Sequence, residues 1–235
     1  MMKIYNKLIE LQYLLLYFYR KFKNNKMKNY ITEFIGTFFL VLTIGLTSEV
    51  DHVAPIAIGG MLMVMVYMGG HISGAHYNPA VSIAMIIRGL LSVKEAIKYI
   101  LSQLGGALLA AYLVSFLTGD IMKVAPINPD LVLQILIVES IFTFALVLVI
   151  LNVATNPKTE GNSYYGLAIG FTIMAAAFAG GGISGGVYNP AVGTGPILID
   201  AIMGDGGTLS NLWYYLVGPI AGAVLATYVY KLTTD

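Results

Sequence analysis

Apolar stretches long enough to cross a membrane recur along the chain, at residues 30–47, 53–70, 96–118, 131–153, 164–181 and 212–232. Each approaches the ~20 apolar residues that a ~30 Å hydrocarbon core demands. Joints bearing polar residues, Gly and Pro separate the middle stretches: TGDIMKVAPINPD at 118–130 and NPKTEGNS at 156–163. The pattern predicts an all-α membrane protein built on six transmembrane helices. Two segments fit neither a spanning helix nor a surface loop. ISGAHYNPAV (72–81) and ISGGVYNPAV (183–192) are one ten-residue phrase, written the second time with Gly186 and Val187 in place of Ala75 and His76.

The phrase belongs to a larger repeat. EFIGTFFLVLT (33–43) echoes ESIFTFALVLV (139–149), GALLAAY (106–112) echoes GAVLATY (222–228), and Asn78 and Asn189 stand 111 positions apart. Three landmarks thus recur in one order, which divides a channel domain at 28–235 into repeats of approximately 28–118 and 130–235. Each repeat holds three spans, an odd number, so the second copy enters the membrane from the opposite face and the repeats are inverted. Residues 1–27 are basic and aromatic, and YLLLYFY within them is too short to span. Two readings stand open for them: an interfacial helix, or a segment ahead of a natural start at Met27.

Backbone that is not helical survives at membrane depth only where it is buried in protein or lines a water-filled cavity, because unpaired N–H and C=O groups in lipid cost several kcal/mol each. Asn followed by Pro marks a helix start: Asn caps the end, and Pro occupies the first turn, where its missing N–H would have had no partner. Short half-helices are therefore expected after Asn78 and Asn189. The first runs through VSIAMIIRG; the second, carrying Gly193, Gly195 and Pro196, is expected to be shorter or less regular. Inverted repeats bring the two N-termini together at the midplane, each carrying roughly half a positive charge. Such a pair disfavours cations, while the asparagine amides and nearby carbonyls replace hydrogen bonds for a passing neutral molecule.

Composition narrows the class further. With 57% hydrophobic and 11% charged residues and a mean hydropathy of +0.78, the chain lies outside the range of soluble domains. A net charge of +1, with no aromatics interleaved among basic residues, sets nucleic-acid binding aside. The absence of cysteine removes thiolate catalysis and thiolate metal sites. Lys3, Lys7, Arg20, Lys21, Lys23, Lys26 and Lys28 precede the first span, so the positive-inside rule places both ends of a six-span chain in the cytoplasm. Glu33 and Glu139 lie within apolar runs. They read as proton relays or, more strongly, as acceptors for the orphaned N–H groups of the broken phrases.

On these residues the sequence resembles the aquaporin, or major intrinsic protein, family, whose signature is two Asn-Pro-Ala half-helices in inverted repeats. The resemblance covers residues 30–232 and rests on Asn78-Pro79-Ala80, Asn189-Pro190-Ala191, TEFIGTFFLV, QLGGALLAA and GPIAGAVLA. It implies a homotetramer in the cell membrane with one pore per subunit, passive conduction, and no cofactor or metal. It assigns Glu33 and Glu139 to the scaffold of the re-entrant loops and His76 to the cytoplasmic vestibule. It also implies an outer selectivity filter at Ile58, Ala177, Gly186 and Val192. The last of these is usually arginine in the family, and neither water-selective nor glycerol-type signatures are complete here.

The expected cargo is therefore water together with small neutral solutes such as glycerol, urea, ammonia or undissociated metalloid acids. A water-selective pore is the alternative. Two further readings complete the field. GISG (182–185) matches the G-x-S-G of intramembrane serine proteases with Ser184 as nucleophile, although the histidine such an enzyme places after its serine is absent. His71 and His76 have no neighbouring acid or cysteine to complete a metal site.

Overall fold

The computed structural model describes residues 26–47 and 53–234, together with Tyr5, Ile9, Gln12 and Tyr13. The readings placed on residues 1–25 lie almost wholly outside the described residues.

From Met27 onward, eight α-helices follow one another among the described residues: α1 Met27–Leu46, α2 Ala54–Ser73, α3 Pro79–Ile87, α4 Val93–Thr118, α5 Val132–Ala154, α6 Tyr165–Ser184, α7 Pro190–Met203 and α8 Leu212–Thr234. No strand occurs among the described residues. Among the described residues six helices are long and apolar enough to cross a membrane, with mean hydropathies from 1.4 to 2.5. The all-α fold with six spans and two half-helices, α3 and α7, is therefore the one the hydropathy pattern predicts.

Two details differ from the sequence reading. Helices α2 and α6 run on through Ile72-Ser73 and Ile183-Ser184 into the repeated phrase, and each stops at a glycine. Gly74 at φ 87° and Gly185 at φ 88° adopt the left-handed conformation that closes a helix at low cost. The second half-helix is also longer than the first, 14 residues against nine, and it continues through Pro196. Burial explains its persistence, since Gly193, Gly195 and Pro196 are all enclosed, with Gly193 against the Tyr215 ring and Gly195 against the Ala107 backbone. At its end Asp200 accepts from the backbone and hydroxyl of Thr208, at 3.1 and 2.7 Å, which ties the following loop down.

The repeats interlock through small residues. α1 packs on α4 and α5 on α8, while α2 meets α6 across the pseudo-twofold axis. Half-helix α3 packs chiefly on α8, and α7 on α4, so each is held by the last helix of the other repeat. A side chain at Gly106 would overlap the Phe34 carbonyl, and one at Gly222 would overlap the Ser140 carbonyl. Gly59 and Gly170 face one another across the axis in the same way. With no hydrophobic driving force between helices in lipid, such backbone contact is what lets packing hold a bundle together.

This packing makes a paired prediction. Gly222→Ala places a methyl group against main chain that cannot swing aside, and it should destabilise the folded protein by about 1–3 kcal/mol. Gly60→Ala meets nothing within 4 Å and should leave stability unchanged or slightly raised. Thermal denaturation in detergent compares the two; equal midpoints would remove close packing as the reason for the glycines.

Candidate functional site

The site is built from the two phrases that interrupt the helices. After each closing glycine the backbone keeps returning to positive φ, at Ala75 (50°) and Tyr77 (49°) in the first and at Gly186 (67°) and Tyr188 (50°) in the second. For a residue with a side chain this conformation costs of order 1–3 kcal/mol, so something must hold it. In the first phrase the holder is Glu33, fully buried on α1. Its Oε1 accepts from the Ser73 hydroxyl at 2.7 Å and the His76 N–H at 3.0 Å. Its Oε2 accepts from the Tyr77 N–H at 2.7 Å and the Gln103 amide at 2.8 Å.

Glu139 on α5 repeats the pattern, accepting from the Ser184 hydroxyl at 2.7 Å, the Val187 N–H at 3.0 Å and the Tyr188 N–H at 2.6 Å. Both carboxyl groups are therefore engaged by donors of the repeated phrases, and Glu33 by the Gln103 amide of α4 as well. The same bonds dispose of the protease reading. Ser184 is fully buried, its hydroxyl is given to Glu139, and Ser73 does the identical thing with Glu33.

The loops deliver the two asparagines in extended conformation at the starts of α3 and α7. Asn78 Oδ1 accepts from the Ala80 N–H and Asn189 Oδ1 from the Ala191 N–H, both at 2.9 Å. Pro79 and Pro190 fill the first helical position, where no N–H is needed. The amide groups then cross. Asn78 Nδ2 donates to the Tyr188 carbonyl and Asn189 Nδ2 to the Tyr77 carbonyl, each at 2.9 Å. Each loop is thus latched to the other, with both helix N-termini at one place. At the far end of α3 the Lys231 ammonium donates to the Ile87 carbonyl at 2.8 Å, complementing the negative end of that half-helix.

A cavity of about 1100 Å³ runs past this junction. Its wall includes Asn78, Asn189 and His76, together with all four positions assigned to the filter, Ile58, Ala177, Gly186 and Val192. Pro79, Ala80, Pro190 and Ala191 are buried behind the wall. Val192 is only 3% exposed, and none of the four carries a cationic side chain.

His76 lines this cavity and also a second of about 370 Å³ that touches Lys26, Glu95 and Tyr99. Its Nδ1 lies 3.1 Å from the Ser82 hydroxyl and its ring centroid 5.1 Å from that of Tyr99, which fixes its orientation. His71 is exposed on α2, and no group of three or more His, Cys, Asp or Glu placed to hold a metal exists among the described residues.

At the opposite mouth Lys123 donates to Asp205 Oδ2 at 2.6 Å, tying the α4–α5 loop to the turn after α7. That hydrogen bond holds the Asp205 carboxyl below its ordinary range and pushes the Lys123 ammonium above its own. The carboxyl's contribution is present above its unfolded value of 3.8 and is lost as pH falls through the lowered folded value. The ammonium's is complete below 10.5 and is lost as pH rises through the raised one. The tether therefore persists across the whole neutral range.

Several of these residues carried no individual signal in the sequence. Ser73 and Ser184 stood in the shared phrase, as did Tyr77 and Tyr188, but only spatial partners distinguish them from the rest of it. Gln103 has no counterpart on Glu139. Thr143, which donates to the Tyr188 carbonyl at 3.3 Å, has an equivalent in Thr37 that bonds its own helix instead.

Comparison with known proteins gives one consistent result. The model of the family described as major intrinsic protein matches residues 19–230. Aquaporin NIP1-1 of Zea mays is 36% identical over 213 residues, covering 86% of this chain and 73% of that one. Glycerol uptake facilitator protein-like 6 of Lactiplantibacillus plantarum is 35% identical over 213 residues, covering 86% and 96%. The X-ray structure of the aquaglyceroporin from Plasmodium falciparum superposes with a TM-score of 0.78 at 26% identity, covering 88% of this chain and 96% of its own. With inverted repeats, latched asparagines and a cavity lined by both of them already in place, the chain belongs to the major intrinsic protein family, as a multi-pass membrane channel for water and small solutes and not an enzyme.

Proposed function

We propose that this channel passes small neutral solutes wider than water, of the class of glycerol, urea, ammonia and undissociated metalloid acids, together with water itself, and that it excludes cations. The observation that carries the reading is the chemistry of the ring at Ile58, Ala177, Gly186 and Val192. All four line the one cavity, and none bears a charge or a side-chain hydrogen-bond donor. A guanidinium at position 192 would supply rigid donors to a stripped water and narrow the opening. Valine forfeits about 1–3 kcal/mol for each group left without a partner, yet it leaves a wider passage in which a solute keeps part of its hydration. With Ala177 and Gly186 small, width outweighs the lost donors. The relative named as a glycerol uptake facilitator supports this class of cargo. The relative named as an aquaporin keeps a water-selective pore as the alternative.

Cation exclusion rests on the paired half-helix N-termini. Their dipoles oppose a cation, and the latched Asn78 and Asn189 amides offer donors toward the passage. In this reading Glu33 and Glu139 are scaffold, His76 is a fixed part of the vestibule wall, and residues 28–235 form the channel domain with repeats near 28–118 and 130–235. The protein works as a homotetramer in the cell membrane with both termini cytoplasmic. The end of the bundle that carries Lys94, Lys98, Lys158 and Lys231 is the cytoplasmic one, in keeping with the positive-inside rule.

Three outcomes test the proposal in liposomes. The parent should pass glycerol and urea, and Val192→Arg should reduce their passage more than that of water, because the wider molecule meets the steric barrier first. Light-scattering uptake reads the ratio, and a parent that excludes glycerol while passing water would establish the water-selective alternative.

Asn189→Asp keeps the cap on Ala191 but loses the donor to the Tyr77 carbonyl and sets a negative charge beside the passage. It should cost about 1–3 kcal/mol of stability and raise proton leakage several-fold, read by a pH-sensitive dye. An unchanged leak would separate exclusion from the asparagines.

Water permeability should be flat from about pH 5 to about pH 9, the interval in which the Lys123–Asp205 tether stays intact. A pH dependence in this interval that His76→Ala removes would instead make His76 a gate.

A further inference from the structure

The two tyrosines that precede the asparagines are tied to the structure by every polar group they own. Tyr188 gives its N–H to Glu139 and accepts the Asn78 amide on its carbonyl. Its hydroxyl reaches sideways to donate to the Ala176 carbonyl of α6 at 2.9 Å. Tyr77 does the same in the other repeat. Its N–H goes to Glu33, its carbonyl accepts the Asn189 amide, and its hydroxyl donates to the Met65 carbonyl of α2 at 2.9 Å. Both rings are completely buried.

The two acceptor carbonyls are not arbitrary. Ala176 immediately precedes Ala177 and Met65 immediately precedes Val66, and both of these following residues line the channel. The pairs are equivalent under the 111-position offset that relates Asn78 to Asn189. The approach is also built into the helix walls. One turn after each carbonyl stands a glycine, Gly180 or Gly69, at which any side chain would collide with the tyrosine hydroxyl.

We infer that Tyr77 and Tyr188 are positioning residues that set the channel's bore: each is a rigid strut from the asparagine latch to one wall, Tyr188 fixing Ala177 in the filter and Tyr77 fixing Val66 in the opposite half. Beyond the latch itself, the struts refer each wall to the same central point. A tyrosine suits the task because its ring transmits position with only two torsions, and its hydroxyl can find the carbonyl only at one distance. Passage of the wider solutes depends on Tyr188, and the choice of solute class rests on the function proposed above. The placement of the walls does not.

The chain contains no cysteine, so Ala177→Cys and Val66→Cys each introduce a single thiol on the channel wall. The rate at which a small methanethiosulfonate reagent modifies each is measured by mass spectrometry in reconstituted protein, alone and combined with Tyr188→Phe or Tyr77→Phe. Loss of one net hydrogen bond should change the rate by about threefold at the wall that bond holds. Tyr188→Phe should therefore shift position 177 and leave position 66 unchanged, and Tyr77→Phe should do the reverse. Rates that move together at both positions, or at neither, overturn the inference, since general loosening does not respect the pairing. Should Tyr188→Phe fail to assemble, Tyr77→Phe decides alone, by moving position 66 and not 177.

In the same vesicles, without the cysteines, the glycerol-to-water permeability ratio should change about threefold with Tyr188→Phe and by less with Tyr77→Phe, whose wall lies outside the proposed filter. A parent that passes water but no glycerol would defeat the proposed cargo while leaving the thiol rates to decide the struts.

Discussion

The structure depends on two buried carboxylates accepting the backbone N–H groups of loops that end inside the membrane. Without an acceptor, each such N–H would cost several kcal/mol in an apolar surround, and the chain would be driven to continue as helix. Glu33 and Glu139 remove that penalty and also hold Ala75, Tyr77 and Tyr188 at positive φ. Charge-assisted bonds are stronger than neutral ones, which suits a carboxylate to this use better than an amide. Once the loops are held, the asparagines at their ends have defined places, and the reciprocal amide-to-carbonyl bonds follow from the pseudo-twofold relation.

A pore made this way separates two requirements that a bundle of continuous helices would confuse. In the function proposed above, the exclusion of cations falls to the junction where the half-helix N-termini converge, and both repeats contribute to it alike. The choice among neutral molecules falls, in the same proposal, to the four filter positions, to which the repeats contribute unequally. Symmetry is kept for the latch, where Ser73 matches Ser184 and Tyr77 matches Tyr188. It is given up in the filter proposed above, where Ile58 comes from the first repeat and Ala177, Gly186 and Val192 come from the second. The half-helices differ for a related reason: α7 is walled in by α4 and by the tied loop after Asp200, and it keeps its helix through glycines and a proline that would weaken an exposed one.

The sequence by itself determined the spans, the inversion and the breaks. Length and apolar content decide whether a segment crosses a membrane, an odd number of spans decides the sense of the second copy, and Asn-Pro decides where a helix begins. These are local or countable properties. It also singled out Glu33 and Glu139, since an acid in an apolar run has few uses. What it left open were the places where a helix stops and how long a half-helix persists. Ser73 and Ser184 extend α2 and α6 past the expected ends, and Pro196 does not end α7, because both outcomes turn on what surrounds the residue.

Only the tertiary structure decided which groups meet. Nothing near Asn78 in the chain indicates that its amide bonds to the carbonyl of residue 188, or that the hydroxyl of that same tyrosine reaches Ala176 beside the filter. Hydrogen bonds between residues far apart in sequence depend on distances of a few tenths of an ångström, and these are set by helix packing at Gly59, Gly106, Gly170 and Gly222. Hydropathy and spacing carry the positions of elements along the chain, whereas the bore of a channel is a distance across it, and that is fixed only when the walls have packed.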